Sequence, residues 1–356
     1  MALQNPTRTQ TESVQDYYGR VLASKNDLKT TACCSLTAPP AFLREALAMV
    51  HPEVQARFYG CGVPIPVGVK GTRVLDLGSG TGRDCFVLSK LVGEKGSVIG
   101  IDMTDEQLAL ARQTTAYHMK AFGFASTNVD FRKGYIEDLA AADVADASVD
   151  LVVSNCVINL SPDKTKVFSE IARVLKPGGE LYFSDVFADR RLSAALQQDP
   201  VVLGECLGGA MYTEDFRRLL ATLGFADVRV MTKSPIEVTS ADVAARVGTA
   251  RFSSITFRAF KLALEDKCED YGQMATYKGT LAECPHAFML DDHHMFYAGK
   301  PMAVCSNTAD MLARTRFASH FTVQGNTENH FGLFDCGPTT SAFDTTMASA
   351  STGGCC

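Results

Sequence analysis

The 356-residue chain has no run of lysine and arginine that could track a phosphate backbone, and its net charge of -6 is spread along its length. Nucleic acid is therefore not an expected partner. No stretch approaches the ~18 apolar residues needed to span a bilayer, and Met1 to Ser13 lacks the apolar core of a secretory signal. A membrane-free cytoplasmic protein is the expectation. The 12 cysteines contain no CxxC pair, and the doublets Cys33-Cys34 and Cys355-Cys356 lack the spacing of a zinc knuckle. In a reducing compartment they read as thiols rather than a disulfide framework, so reactivity or packing must explain them.

What is present is an ordinary globular balance, with 46% hydrophobic and 21% charged residues. From Arg73 to Met231 apolar strand-like runs alternate with stretches of helical period, the pattern of βαβ units that build a parallel sheet. The runs RVLDLG (73–78), SVIGID (97–102), VDFRKG (129–134), VDLVVSN (149–155), ELYFSDVF (180–187) and DVRVM (227–231) carry the residues of strands buried on both faces. Helix ends are marked as well. Thr104 precedes the acidic Asp105 and Glu106, Ser161 and Pro162 predict an N-cap and N1, Pro177-Gly178-Gly179 ends a helix over Lys164–Lys176, and Gly224 ends one opened by Thr213. An α/β fold with a doubly wound sheet is expected over 71–231, with an insertion at 188–212. An arm or lid is expected over 1–70 and a smaller α+β domain over 232–320, with SITFRAF (254–260) and ATYKGT (275–280) as its strands. Residues 321–356, rich in Ser, Thr and Gly towards the end, read as a flexible tail.

The first run leads directly into Gly78-Ser79-Gly80-Thr81-Gly82 and then an apolar helix, the context that a nucleotide-binding loop requires. Glycines permit the tight turn and let backbone N–H groups approach a ligand. The spacing is GxGxG rather than the GxGxxG of dinucleotide folds, which argues against a pyrophosphate. Asp102 closes the second run and is placed to accept both hydroxyls of an unphosphorylated ribose. A plain tight turn and a helix-terminal charge are the structural alternatives.

In open α/β sheets ligands bind beyond the strand ends where strand order reverses. Cys156 follows run 149–155 immediately and so lies beside the glycine loop. Cys61, in Tyr59-Gly60-Cys61-Gly62, and Cys206, in Gly204-Glu205-Cys206-Leu207-Gly208, occupy glycine-rich loops able to fold over the same edge. Cys85, inside an apolar run, fits simple core packing. Two or three thiolates are soft donors that capture a soft centre such as trivalent arsenic in preference to water. A trigonal pyramid of sulfurs leaves the arsenic lone pair facing outward, so a methyl group held in line could be taken without a general base.

The combination VLDLGSGTGRD, IGID, LVVSN and VLKPGGELYFSD resembles the class I S-adenosylmethionine methyltransferases over residues 71 to 187. That likeness implies a Rossmann-like sheet in which Asp76, Gly78, Gly80 and Gly82 contact the methionine end. It implies Asp102 and Met103 on ribose and adenine, and Ile136 and Glu137 bordering the adenine. Over about residues 14 to 315, YYGRVLASKNDLKTTACC, RFYGCGVPIP, SNCVINLSPDK, GECLGGA and PHAFMLDDHHMF resemble the arsenite S-adenosylmethionine methyltransferases. This second likeness implies that Cys61, Cys156 and Cys206 bind arsenic, and that one of Cys33 and Cys34 matches a fourth cysteine able to pair with Cys61 during turnover, Cys33 being favoured. It also implies arsenite and methylarsenite as substrates, stepwise methylation for detoxification, and glutathione or thioredoxin as reductant. A monomer is expected, with the smaller domain linked to arsenic binding.

Other features stay open to two readings. Tyr59, Tyr17 and Tyr18 can cover the cofactor by aromatic attraction to a sulfonium, or pack a lid. His293-His294 after Asp291-Asp292 read better as a hydrogen-bonded corner than a metal site, and Arg190-Arg191 either tune thiolates or form solvated salt bridges. Cys355-Cys356 either ferry arsenic or belong to a dispensable tail. The rival functions are a class I methyltransferase acting on carbon, nitrogen or oxygen, which needs a base near the acceptor, and a non-catalytic arsenic-binding protein, which has no use for the glycine loop.

Overall fold

The computed structural model describes residues 39–58, 60 and 62–336. Its central sheet arises from the apolar runs of the sequence: β1 (Arg73–Leu77), β2 (Ser97–Asp102), β3 (Val129–Lys133), β4 (Val149–Asn155) and β5 (Leu175–Ala188) are parallel, in the spatial order β3-β2-β1-β4-β5. Burial of Val74, Leu75, Leu77, Leu151, Val152 and Val153 puts apolar side chains on both faces of β1 and β4. Helices then have to cover both faces. Before the sheet, α1 (Ala41–Ala48) and α2 (Pro52–Ala56) pack Leu43, Ala46 and Val54 into the core on one face.

Each crossover carries its own signals. Helix α3 (Arg83–Val92) starts directly after Gly82, and α4 (Asp105–Phe122) ends at Gly123 in the left-handed region. Helix α5 (Lys164–Val174) is capped by the Asp163 carboxylate, which accepts from Lys166 N at 3.0 Å. The cap is thus Asp163 and not Ser161, whose hydroxyl instead accepts from Asp163 N at 3.1 Å. The helix stops at Val174, and Pro177-Gly178-Gly179 already lies within β5. The insertion after β5 folds as two short helices, α6 (Ala194–Gln197) and α7 (Pro200–Gly204), then β6 (Met211–Tyr212) and α8 (Thr213–Thr222), followed by Gly224 at φ 91°.

The sheet continues past the expected boundary at 231. Strand β7 (Val228–Ile236) is followed by α9 (Ala241–Val247) and β8 (Phe252–Phe260), and β8 inserts antiparallel between β5 and β7. SITFRAF was expected in the smaller domain. It belongs to the main sheet because the register Glu180↔Phe260 to Ala188↔Phe252 buries Ile255, Phe257 and Phe260 against neighbours on both sides.

The remaining chain forms a small module. It comprises β9 (Glu269–Asp270), β10 (Met274–Tyr277), β11 (Ala287–Met289), β12 (Met295–Tyr297), β13 (Pro301–Ala303), α10 (Ser306–Ala313), β14 (Phe321–Gln324) and β15 (Gly332–Leu333). Its core joins Phe260 to Tyr277, Phe288, Phe296, Leu312 and Phe317. Residues 321–336, expected as tail, contribute β14 beside β10 and β15 beside β9. The apolar Phe321 and Val323 signal this strand, and the serine- and threonine-rich stretch that suggested a tail begins later. The module is tied down by buried charge: Glu180 accepts from Arg258 Nε at 2.6 Å and pairs with Arg316, which also donates to the Val67 and Gly68 carbonyls. No helix among the described residues is long and apolar enough to cross a membrane.

Candidate active site

The loop after β1 holds Gly78, Gly80 and Gly82 at φ 69°, 53° and 87°, where a side chain is strained. Gly78 N and Ser79 N both donate to Ile101 O at 2.8 and 2.9 Å, and Gly80 N donates to Asp102 Oδ2 at 2.8 Å. The other Asp102 oxygen accepts from Thr104 N at 2.8 Å. The loop and the end of β2 are thereby locked together, and Asp102 is further hydrogen-bonded by the Thr104 side chain and the Met103 backbone.

Between them opens a cleft of about 1120 Å³, whose wall includes Asp76, Gly78, Gly80, Asp102, Met103, Ile136, Glu137 and Cys156. Gly82 is not on this wall. A Cβ there would strike the Phe131 ring, so Gly82 serves close packing at the start of α3. Glu137 accepts a hydrogen bond from the Ser161 hydroxyl, which ties the segments after β3 and β4 together on the cleft wall.

The cleft is acidic. Burial, reinforced by the negative charge of Asp84, pushes the Asp76 carboxyl well above the usual range, and the Cys85 thiol opposes this by donating to Asp76 at 3.1 Å. Burial also raises Asp102, against the backbone N–H groups it accepts. Clustered carboxylates of this kind favour a cationic ligand and disfavour a pyrophosphate. Ser79 Oγ and Asp84 Oδ1 are buried without a hydrogen-bond partner among the described residues, although Arg83 Nε lies 3.5 Å from that Asp84 oxygen. The Arg83 guanidinium itself stacks on Phe58, 3.6 Å from the ring centroid. A ligand bearing an ammonium group, a sulfonium and a ribose fits this donor set, so the residues present suit S-adenosylmethionine.

Sulfur chemistry meets the cleft at Cys156. It follows β4, takes φ 58°, and donates its N–H to Ser184 O at 2.9 Å. A non-glycine residue in the left-handed region is uncommon and points to a local constraint. Cys156 takes part in a disulfide in this structure. The neighbouring Asn155 accepts from Gly62 N at 3.2 Å and donates to Gly62 O and Asp84 Oδ2, both at 3.0 Å. It thus clamps the arm to the sheet end beside Cys156, and Gly60 and Gly62 lack room for a side chain against Asn155 and Ser184.

Cys206 is also left-handed, at φ 60°, and buried. Its loop is held by Leu207 N and Gly208 N donating to Val202 O, and a Cβ on Gly209 would collide with the Asn159 carbonyl. That contact seats the Cys206 loop on the segment following Cys156, and both cysteines belong to one apolar cluster with Val186, Val202 and Leu207. Cys206 does not line the cleft. Cys33, Cys34, Tyr59, Cys61, Tyr17, Tyr18 and the Cys355-Cys356 doublet lie outside the described residues.

Four supporting residues escaped the sequence reading: Asp84, Asn155, Asn159 and Asp185. Asp185 is buried and accepts from Asn159 N at 3.1 Å and Val186 N at 2.8 Å, holding the turn after Cys156. A carboxylate inside an apolar strand was the available signal. Arg190 pairs with Asp189 and Arg191 with Asp215, both arginines half or more exposed. Asp291 accepts from the His294 backbone and ring and from Arg229, and Asp291, His293 and His294 also bring ligand atoms within 4.8 Å of one another, so the corner is hydrogen-bonded and has the spacing of a metal site as well.

A methyltransferase domain model matches residues 69–224, and an arsenite methyltransferase C-terminal domain model matches 271–356. The chain is 56% identical over 328 residues to an arsenite methyltransferase of Aquipseudomonas alcaligenes, covering 92% of this chain and 94% of that one. The chain belongs to the arsenite methyltransferase family. Another member of the family, the human arsenite methyltransferase, is 44% identical over 88% of this chain and 83% of its own length. The crystal structure of an arsenic(III) S-adenosylmethionine methyltransferase from Chlamydomonas reinhardtii superposes with a TM-score of 0.81 at 52% identity. It covers 84% of this chain and all of that one. This family member is therefore an S-adenosylmethionine-dependent methyltransferase with the Rossmann-like sheet described above.

Proposed function

We propose that the enzyme methylates trivalent arsenic held by the thiolates of Cys61, Cys156 and Cys206, with arsenite and then methylarsenite as acceptors and detoxification as the purpose. The observation that carries this reading is the position of Cys156, on the wall of the acidic cleft and one residue from Val157, against which Gly78 of the glycine loop packs. When bound, S-adenosylmethionine supplies an electrophilic methyl group on a sulfonium. Asp76 and Asp84 favour its cationic end, Asp102 receives the ribose hydroxyls, and Met103, Ile136 and Glu137 border the adenine. Asn155 positions the arm that carries Cys61, and Asp185 with Asn159 positions the turn of Cys156 and the loop of Cys206.

Thiolate ligands keep the arsenic lone pair unhindered and aimed at the cleft, so alignment supplies the rate and no general base is needed. Accepting a methyl cation raises arsenic to the pentavalent state, and its return to the trivalent state takes two electrons. Two thiols supply them by forming a disulfide, the role given to Cys61 and one of the Cys33-Cys34 pair, Cys33 for preference. The disulfide at Cys156 supports the need for an external thiol reductant, glutathione or thioredoxin, before arsenic can bind. A monomer in the reducing cytoplasm completes the reading.

The test is incubation of the full chain with arsenite, S-adenosylmethionine and a thiol, followed by arsenic speciation. Mono- and dimethylated arsenic are expected, with a trimethylated product at long times. Cys156→Ser and Cys206→Ser should each abolish product while S-adenosylmethionine binding persists. Unchanged product from both variants refutes the assignment.

A further inference from the structure

A second group of sulfurs lies in the C-terminal module, built from three separate stretches of chain. Cys268 precedes β9, Cys305 caps the N-terminus of α10, and Cys336 follows β15. The pairing of β15 with β9 and the bond from Phe334 N to Cys268 O at 2.8 Å fold the last stretch back onto the first. The three sulfur atoms lie within 4.8 Å of one another. Cys305 is buried, whereas Cys268 and Cys336 are half-buried, which leaves an approach from solvent. None of the three lines the acidic cleft. The cluster borders Arg229 on β7, three strands from β4 and so about 14 Å across the sheet at the usual strand spacing.

The donor set discriminates between ligands. Structural zinc sites close with four ligands, and no fourth His, Cys, Asp or Glu joins this group among the described residues. The remaining side is taken by Thr308, whose N–H donates to Cys305 Sγ at 3.4 Å and whose hydroxyl lies 3.3 Å from it, and by the Arg229 guanidinium at 3.9 Å. Arg229 is itself paired with Asp227 at 2.6 Å and Asp291 at 3.0 Å, so the discrimination rests on ligand count: three sulfurs are one short of a closed zinc site but complete the neutral trithiolate of trivalent arsenic. As(OH)3 with three thiols gives As(SR)3 and three waters, with no change of oxidation state.

We infer that Cys268, Cys305 and Cys336 form a second binding site for trivalent arsenic, separate from the methylation cleft. The site holds arsenite through three sulfurs, and methylarsenite through two with loss of two waters. It can therefore retain substrate or trivalent product outside the place where methyl transfer occurs.

The test uses the full chain reduced with a phosphine, loaded with arsenite and freed of unbound arsenic by gel filtration, with bound arsenic counted by elemental mass spectrometry. In a Cys156→Ser/Cys206→Ser background, which removes two of the three proposed methylation-site thiols, arsenic should still be retained. Adding Cys268→Ser and Cys336→Ser should lower the retained arsenic at least about tenfold, the loss expected when soft ligands are removed. Adding Cys355→Ser and Cys356→Ser instead should leave it in place. Circular dichroism melts check the fold of each variant. Should the combined variant not fold, Cys336→Ala alone in the same background is expected to weaken arsenite affinity by a similar factor. The inference is overturned if the background retains no arsenic, if the tail substitutions rather than the cluster substitutions remove it, or if the purified chain carries zinc that Cys268→Ser releases. Because Cys156 and Cys206 are absent throughout, failure here leaves the proposed methylation site untouched.

Discussion

Replacing Asp102 by Asn tests the cofactor half of the cleft with a nearly isosteric change. The carboxylate accepts from Gly80 N, Thr104 N, the Thr104 hydroxyl and the Met103 backbone, and it lies on the cleft wall where a ribose hydroxyl can approach it. Asparagine has a single acceptor oxygen, and its amide nitrogen faces a backbone N–H that also donates. One charge-assisted hydrogen bond to the ribose is lost, worth about 1.5–3 kcal/mol, or roughly a 10- to 150-fold rise in Kd for S-adenosylmethionine. The backbone N–H left without its acceptor should lower thermal stability slightly, a cost of about 1 kcal/mol. Isothermal titration with S-adenosylmethionine measures the first effect and calorimetric melting the second. Arsenite binding, measured in parallel, should not change. A Kd within about threefold of the wild type, below the weakest bond considered, refutes the role given to Asp102. Equal losses of both ligands mean that the glycine loop has collapsed and that the hydroxyls were not the cause.

Glu180→Gln leaves the buried Arg258 and Arg316 facing a neutral group, and breaking a buried pair in this way costs about 3–5 kcal/mol. Thermal melts should show a large fall, and adding Arg316→Met should cost less than the sum of the single changes. Burial, opposed by the Val186 and Asn159 N–H groups, pushes the Asp185 carboxyl up to about 7. Raised in the folded state, it favours the fold when protonated, so stability should fall as pH rises from about 4 to about 7 by up to about 4 kcal/mol. Melts across that range should show this slope, and Asp185→Asn should flatten it. Gly209→Ala drives a methyl group into the Asn159 carbonyl. It should abolish arsenic methylation while titration shows S-adenosylmethionine binding intact, and retained methylation would separate the Cys206 loop from the chemistry.

Much of this architecture is legible because it depends on local pattern. The β1 run, the glycines that must turn left-handed and the acidic residue at the end of β2 form one contiguous signature, and Cys156 is placed by the rule that ligands sit beyond strand ends. The missed parts depend on pairing between distant segments. Nothing within SITFRAF distinguishes an antiparallel partner of β5 from a strand of a separate domain, since Phe257 and Phe260 are apolar in either setting. Asn155 reads as an ordinary polar strand end until Gly62 and Asp84 close around it. The thiols of Cys268, Cys305 and Cys336 are unremarkable in sequence and acquire chemical meaning only when β15 returns to β9.

The position of β8 bears on how the chain can fold as it is made. The matched methyltransferase segment ends at residue 224, yet the sheet it describes gains its seventh and eighth strands only when 228–260 has been synthesised. Until Arg258 arrives, Glu180 sits as an uncompensated acid among apolar neighbours, and Arg316 comes later still. The matched methyltransferase segment on its own therefore lacks two strands of its sheet and both partners of Glu180.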